Sequence, residues 1–262
     1  RKVDPEIKIL VEATSRKEIE AAAKFKADGI VLKGHEAGGR VGDNTSFILL
    51  QQWQRWKQAN ADKDIPAWVQ GGIGTHTATA CAAAGVQGVV LDTQLLLTRE
   101  SPLEDTQRQA LEASDGSESL CIGGDLGKPY RVLHRPGAPL PDVLQKALLE
   151  LHSIESEEEQ QSRWETIVRE RIAEHATSPL ALVGQDAALA KSLADRFVTV
   201  GGVIEGIIEN VETGLQAARE TKPLAEGSPL AESHSTKYPI LQGPMTRVSD
   251  TAPFAKAVAD AG

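Results

Sequence analysis

Ala27-Asp28-Gly29-Ile30-Val31-Leu32-Lys33-Gly34-His35-Glu36-Ala37-Gly38-Gly39-Arg40-Val41-Gly42 joins a short apolar run to a glycine-rich loop carrying charge of both signs. Gly29 to Leu32 is too short for a helix and β-branched enough for a strand buried on both faces. Lys33, His35, Glu36 and Arg40 then stand among Gly34, Gly38, Gly39 and Gly42. The glycines let the backbone approach a ligand closely, and four titratable side chains beside them exceed what a structural turn requires. A loop of this kind at the end of a strand reads as ligand-binding.

The same unit recurs on both sides of this stretch. Ile7 to Glu12 reads as a strand, and Ser15-Arg16-Lys17-Glu18 has the form of a capping box opening an Ala-rich helix. Asp43-Asn44-Thr45 offers caps for a helix through Phe47, Leu50, Trp53 and Lys57, with Phe47, Leu50, Trp53 and, less regularly, Trp56 at core spacing. Ile65 to Gln70 reads as a strand ending in Gly71-Gly72-Ile73-Gly74-Thr75, followed by a small-residue helix over Thr77 to Ala84. Gly88 to Leu91 is a fourth strand, left by Asp92-Thr93-Gln94. Strands separated by helical crossovers specify a parallel sheet, and ligand residues then belong at strand C-termini. Gly71 to Thr75, opening a helix, is a ready phosphate cradle through free backbone N–H groups, joined from the next strand by Asp92 and the Thr93 hydroxyl.

Beyond residue 100 the pattern loosens. Ser101 to Pro141 is broken by Gly123-Gly124, Gly127, Pro129, Pro136 and Pro139, and reads as loops and short helices. Asp142 to Leu151 and Glu155 to His175 read as helices, Ser178-Pro179 as the start of a new segment, and Gly184-Gln185-Asp186 and Gly201-Gly202 as turns before two more helices. Pro223 to Ser235 is linker-like, Tyr238 to Met245 reads as a fresh strand and loop, and Pro253 to Ala261 as a helix.

The 262 residues carry a net charge of −9 and are 40% hydrophobic, enough for a sizeable core and without the Lys/Arg stripe that nucleic acid or an acidic membrane demands. Cys81 and Cys121 are the only cysteines, far apart, and the histidines lack ligand spacing, so neither a disulfide framework nor a metal site is indicated. A reducing, cytoplasmic setting is expected, and no apolar run approaches the ~20 residues of a membrane span. The chain opens on Arg1 and has its single methionine at Met245, which reads as a piece cut from a longer polypeptide.

Glu36-Ala37-Gly38-Gly39-Arg40-Val41-Gly42, Gly71-Gly72-Ile73 and Asp92-Thr93, in this order and spacing, resemble the FMN-dependent nitronate monooxygenases, once called 2-nitropropane dioxygenases, and their relatives the FMN-dependent enoyl-acyl-carrier-protein reductases. The resemblance implies a parallel (β/α)8 TIM-type barrel. Residues 1–100 would be its C-terminal half, 101–222 an irregular excursion and helical cap, 223–236 a linker, and 237–262 the first βα unit of a second barrel copy. It also implies FMN, held by Glu36, Gly38, Gly39, Gly71, Gly72, Ile73, Asp92 and Thr93, by Gln185 in a Gly-Gln turn, and by Gly243, Pro244 and Met245, which resemble the family's opening Pro-Met strand. Doubled barrels of this wording resemble those of multidomain polyketide or polyunsaturated-fatty-acid synthases. Other domains of the same polypeptide would then be partners, and the isolated chain, with open sheet edges, would self-associate and bind FMN poorly.

Two departures bear on chemistry. The family's proton-abstracting histidine is Arg40 here, and its usual Gln before Gly is Lys33. Arginine cannot act as a base near neutral pH, so nitronate oxidation by the usual route is in doubt. An enoyl thioester reductase can use Lys33 or Arg40 as cations over a developing enolate and His35 as proton donor. In the plainer reading His35 points outward and Arg40 pairs with Glu36 or the FMN phosphate. The contrasting class is a non-catalytic scaffold that kept the glycines and lost the chemistry.

Overall fold

The computed structural model describes residues 6–63, 65–135, 139–174, 180–243, 245–247 and 249–261. Pro136, His175, Ser178, Pro179 and Pro244, all used in the expectations above, lie outside the described residues. The chain divides into two units, Arg1–Val211 and Glu212–Gly262.

The elements run β1 Leu10–Ala13, α1 Arg16–Lys24, β2 Gly29–Lys33, β3 Gly39–Arg40, α2 Ser46–Ala59, β4 Ala67–Gln70, α3 Thr75–Ala83, β5 Gly88–Val90, α4 Asp105–Glu112, β6 Ser119–Ile122, β7 Tyr130–Leu133, α5 Leu140–Leu151, α6 Glu157–Glu174, α7 Ala190–Phe197, α8 Val200–Thr221, α9 Pro229–Ser233 and α10 Ala252–Ala261. Four strands form a parallel sheet in the order β1-β2-β4-β5, with Leu32 beside Ala13 and Val69, and Lys33 beside Gln70. This is the parallel α/β arrangement expected from the crossover pattern.

Alternation along these strands sorts the sheet into two faces. Ala13, Ile30, Leu32, Ala67 and Val69 pack against Ile19 and Ala22 of α1, Leu49, Leu50, Trp53 and Trp56 of α2, and Ala78 and Cys81 of α3. The opposite face carries Glu12, Val31, Lys33, Trp68 and Gln70. Trp68 lies across two glycines there: a Cβ at Gly29 would sit 2.5 Å from its ring, and one at Gly88 2.8 Å. No helix among the described residues is long and apolar enough to cross a membrane.

Several expectations need correction. Phe47 is 65% exposed, not core, because α2 turns Leu49, Leu50, Trp53 and Trp56 inward, and at 3.6 residues per turn Phe47 falls more than about 120° from the centre of that stripe. Gly201 and Gly202 lie inside α8 rather than before it. The described residues of 238–245 form no strand. The excursion, read as loops and short helices, does hold the short helix α4, but it also holds two strands, β6 and β7: they pair antiparallel, and β7 adds β3 to make a second sheet of order β3-β7-β6. That sheet packs Ile122 and Val132 with Leu144, Trp164 and Val168 of α5 and α6 in a core of its own.

Candidate functional site

The parallel sheet delivers Lys33 and Gln70 side by side at the C-terminal ends of β2 and β4. Lys33 is only 8% exposed, and its ammonium lies 3.3 Å from Oε2 of the half-exposed Glu12. Gln70, also buried, donates from Nε2 to Oδ2 of Asp92 at 2.7 Å, while Asp92 Oδ1 accepts the Thr93 N–H at 2.5 Å. Asp92 therefore fixes the amide of one strand end and caps the 3-10 turn Thr93–Leu95 that leaves the next.

The ligand loop between β2 and β3 is held from several sides. Its Gly34 N–H donates to the Gln70 carbonyl, and the Glu36 carbonyl accepts the Gln185 N–H at 2.8 Å. A Cβ at Gly38 would collide with the Leu182 carbonyl, so glycine here reflects close approach of the 182–184 segment. The Glu36 carboxylate accepts the Ser46 N–H at 2.9 Å and its hydroxyl at 3.3 Å, placing negative charge at the α2 N-terminus. His35 Nδ1 lies 2.6 Å from the Gly42 carbonyl, so Nδ1 carries hydrogen and Nε2 is the ring's remaining polar atom. The His35 carbonyl accepts Nε of Arg131 at 2.7 Å, and Arg131 Nη1 donates to the Ser119 hydroxyl at 2.9 Å. The unforeseen hairpin thus buttresses the loop.

Arg40 pairs with neither Glu36 nor an open site. Its Nη1 contacts Glu18 at 2.8 Å and Thr14 Oγ1 at 3.5 Å, and Nη2 donates to the Glu12 carbonyl at 3.2 Å. Glu18 also accepts the Thr14 N–H at 2.6 Å and its hydroxyl at 2.9 Å, so the capping box is only half made: Ser15 caps Glu18 N–H, but Glu18 turns away to Thr14 and Arg40. Burial works against ionising Glu18, yet the Thr14 N–H, then Arg40 and the Thr14 hydroxyl, outweigh it and hold the carboxyl below its usual range.

The third cluster joins the expected cradle to a residue that the sequence did not single out. Gly71 and Gly72 have φ of +101° and +67°, a backbone course that favours glycine, and they lead into α3 with Gly74 N–H donating to Thr77 Oγ1 at 2.7 Å. Gln94, fully buried, donates to the Ile73 carbonyl at 3.1 Å and accepts the Asp92 N–H at 3.0 Å, tying the turn to the end of β5. Thr93 Oγ1 accepts the Gly184 N–H at 3.2 Å. Next to Gly184 and Gln185, whose side chain is exposed, Asp186 is 3% exposed. Neither of its carboxylate oxygens makes a hydrogen bond of good geometry, although the Gly72 N–H and the Thr93 hydroxyl face it. Burial, then the charge of Asp92, pushes its carboxyl up to about 7 against those two donors. Gly243 and Met245 belong to the second unit and are exposed there.

Asp186 stands beside the Gly184-Gln185 turn marked in the sequence, and an acid two residues after that glycine is the available signal. Arg131 had none, since its role depends on the hairpin.

Comparison with known proteins follows the same lines. By structure the chain is similar to FabK from Thermotoga maritima, with 22% identity and a TM-score of 0.58 over 81% of this chain and 63% of that one. The enoyl reductase domain of MlnA from the macrolactin biosynthesis cluster of Bacillus amyloliquefaciens gives 11% identity and a TM-score of 0.59 over 84% and 70%. Nitroalkane oxidase from Streptomyces ansochromogenes gives 21% and 0.50 over 79% and 58%. By sequence it is 29% identical over 119 residues to a 5-hydroxy-7a-methyl-1-oxo-octahydro-1H-indene-4-carboxyl-CoA dehydrogenase of Rhodococcus jostii, covering 45% of this chain and 32% of that relative. The matched stretch is thus about a third of that relative's length. Residues 1–151, more than half the chain and all the strands of the parallel sheet, match the sequence model of the nitronate monooxygenases. With the glycine loop, the Gly-Gly-Ile turn and the Asp-Thr strand end at the C-terminal edge of one parallel sheet, the chain belongs to the nitronate monooxygenase family.

Proposed function

We propose that the chain is an FMN-dependent oxidoreductase domain that reduces an α,β-unsaturated acyl thioester, within a multidomain polyketide or fatty-acid synthase-type enzyme. The observation that carries this reading is Lys33: an ammonium group held at the end of a central strand, 8% exposed, at the position where the family usually has Gln. A fixed buried cation suits an oxygen that gains negative charge during reaction, as a thioester oxygen does when hydride adds at the β-carbon. Two similar proteins support the substrate class: the Rhodococcus relative is a carboxyl-CoA dehydrogenase and the MlnA domain an enoyl reductase.

The donor set fits a phosphate ester on one condition. The Gly72 N–H, the α3 N-terminus and the Thr93 hydroxyl form a cradle for a phosphate, but the first and last of these face the Asp186 carboxylate, so the fit requires that carboxylate to be neutral. Gly71, Gly72, Ile73 and Thr93 would hold the FMN phosphate; bound and reduced, FMN supplies the hydride. The chain's own share is electrostatic and protonic. Lys33 stabilises the thioester oxygen, Gln70, fixed by Asp92, keeps the strand end polar and ordered, and His35, with its Nδ1–H committed to the Gly42 carbonyl, gives a proton from Nε2 when the ring is doubly protonated. Arg40, spread over Glu18, Thr14 and the Glu12 carbonyl, braces the loop against β1 and α1.

The test is a pair of assays on the full-length protein, enoyl thioester reduction and nitronate-dependent oxygen uptake. Lys33→Met should lower reduction on the order of 10²-fold with flavin content unchanged. Arg40→His should give no gain in oxygen uptake, since the new imidazole would take the place of a guanidinium bound to Glu18. A rise in oxygen uptake, or full reduction by Lys33→Met, would overturn the reading. One observation favours a scaffold instead, the unpaired Asp186 carboxylate facing the cradle. Full-length protein that purifies colourless and takes up no FMN would decide for the scaffold.

A further inference from the structure

Asp186 is the buried acid that the proposed chemistry leaves unused. It sits at the start of the 3-10 turn Gln185–Leu189, packed between the end of β5 and the Gly71–Gly72 turn, with neither oxygen in a good hydrogen bond. From the β5 end it is faced by the Asp92 charge and the Thr93 hydroxyl, and from the turn by the Gly72 N–H. Arg131 of β7 lies within electrostatic reach of both Asp186 and Glu36, but its hydrogen bonds go to the His35 carbonyl and the Ser119 hydroxyl. An acid left in this state is set against an anion: the donors that face it are the ones a phosphate would use.

We propose that Asp186 is a proton-operated gate on the cradle, its carboxylate and an incoming phosphate ester contending for the Gly72 N–H and the Thr93 hydroxyl, so that the ester enters as Asp186 takes up a proton. This rests on the reading of the cradle as a phosphate site. The balance is simple: a phosphate dianion enters, one proton passes from solvent to the Asp186 carboxylate, and no covalent bond to phosphorus forms or breaks. The protonated acid is then able to donate to the phosphate instead of repelling it. Geometry defines the contest; the carboxyl's titration near 7 places it in an accessible range.

The experiment measures FMN binding by full-length apoprotein between pH 7.5 and 9, where a phosphate monoester, with a second pKa of about 6, is already a dianion. Riboflavin, which lacks the phosphate, and inorganic phosphate, which lacks the flavin, serve as parallel probes. Wild type should weaken toward FMN by at least about tenfold across this range and take up close to one proton per FMN at the upper end, read by calorimetry in buffers of different ionisation enthalpy. Asp186→Asn should bind FMN with less than about twofold change and no proton uptake. Inorganic phosphate should follow FMN, and riboflavin should show no pH dependence in either protein. Asp186→Ser repeats the test should the amide disturb packing. Equal pH slopes for wild type and both variants overturn the gate while leaving the flavin reading in place, as does an equal slope for riboflavin. Failure of every protein to bind FMN at any pH overturns the flavin reading and the gate with it.

Discussion

Asp186 has a consequence for stability that is separate from any ligand. Its carboxyl is raised from an ordinary 3.8 to about 7 in the folded chain, so between these values the native protein holds a proton that the unfolded chain has released. Stability therefore falls as pH rises from about 4 to 7, and the full penalty is present above 7. Asp186→Asn should stabilise the protein by up to about 4 kcal/mol at pH 8, with the gain shrinking toward zero near pH 4. Urea titrations at the two pH values check this, and an equal gain at both would show that the effect is packing rather than charge. Arg40 makes the opposite case. Its partner Glu18 is over a third exposed, so the pair is worth little, and Arg40→Met should cost less than about 1 kcal/mol.

At the scale of elements, the hairpin β6–β7 is what turns a glycine-rich connection into a fixed loop. Arg131, buried on β7, supplies the His35 carbonyl with its donor, and β7 pairs directly with Gly39 and Arg40. Arg131→Met should leave that carbonyl unsatisfied, cost about 1–3 kcal/mol and speed amide hydrogen exchange over residues 35–42 while the α3 amides stay protected. Uniform loss of protection would instead mean that the whole fold depends on it. The parallel strands were readable because each is an apolar run between turn residues, with a crossover helix behind it. The hairpin was not. Ser119–Ile122 and Tyr130–Leu133 are four residues each, separated by Gly123, Gly124, Gly127 and Pro129, and their pairing is a long-range fact that short-range pattern does not carry. Trp164 marks the same limit. Its indole donates to the Lys128 carbonyl at 2.8 Å and lies where a Cβ at Gly123 would come within 2.5 Å, an arrangement specified by tertiary contact alone. Phe47 shows a smaller failure, one of helical phase: the spacing was right and the anchor residue wrong. In the site, the glycine turns and Asp92-Thr93 stand out by composition, whereas Asp186 matters through Gly72, Asp92 and Thr93, all distant in sequence, and Glu18 joins its near neighbour Thr14 to the distant Arg40.

For the molecule as a whole, β1 and β5 end the parallel sheet without a further strand neighbour among the described residues. Ile7, Ile9 and Leu10 are exposed along or just before the β1 edge. Unpaired backbone beside apolar side chains favours strand addition, so this chain should associate with copies of itself in a concentration-dependent way. Sedimentation velocity over a hundredfold range of concentration tests this, and a single monomer peak throughout would refute it. The arrangement of tryptophans adds an optical property. Trp53, Trp56 and Trp164 are buried, while Trp68 is partly exposed across Gly29 and Gly88, two residues from Gln70 on the face that carries Lys33. The long-wavelength edge of the intrinsic fluorescence therefore belongs to one indole. Any molecule laid over the strand ends should dim that edge while leaving the shorter-wavelength emission in place, and Trp68→Phe should make the protein dark to the same titration.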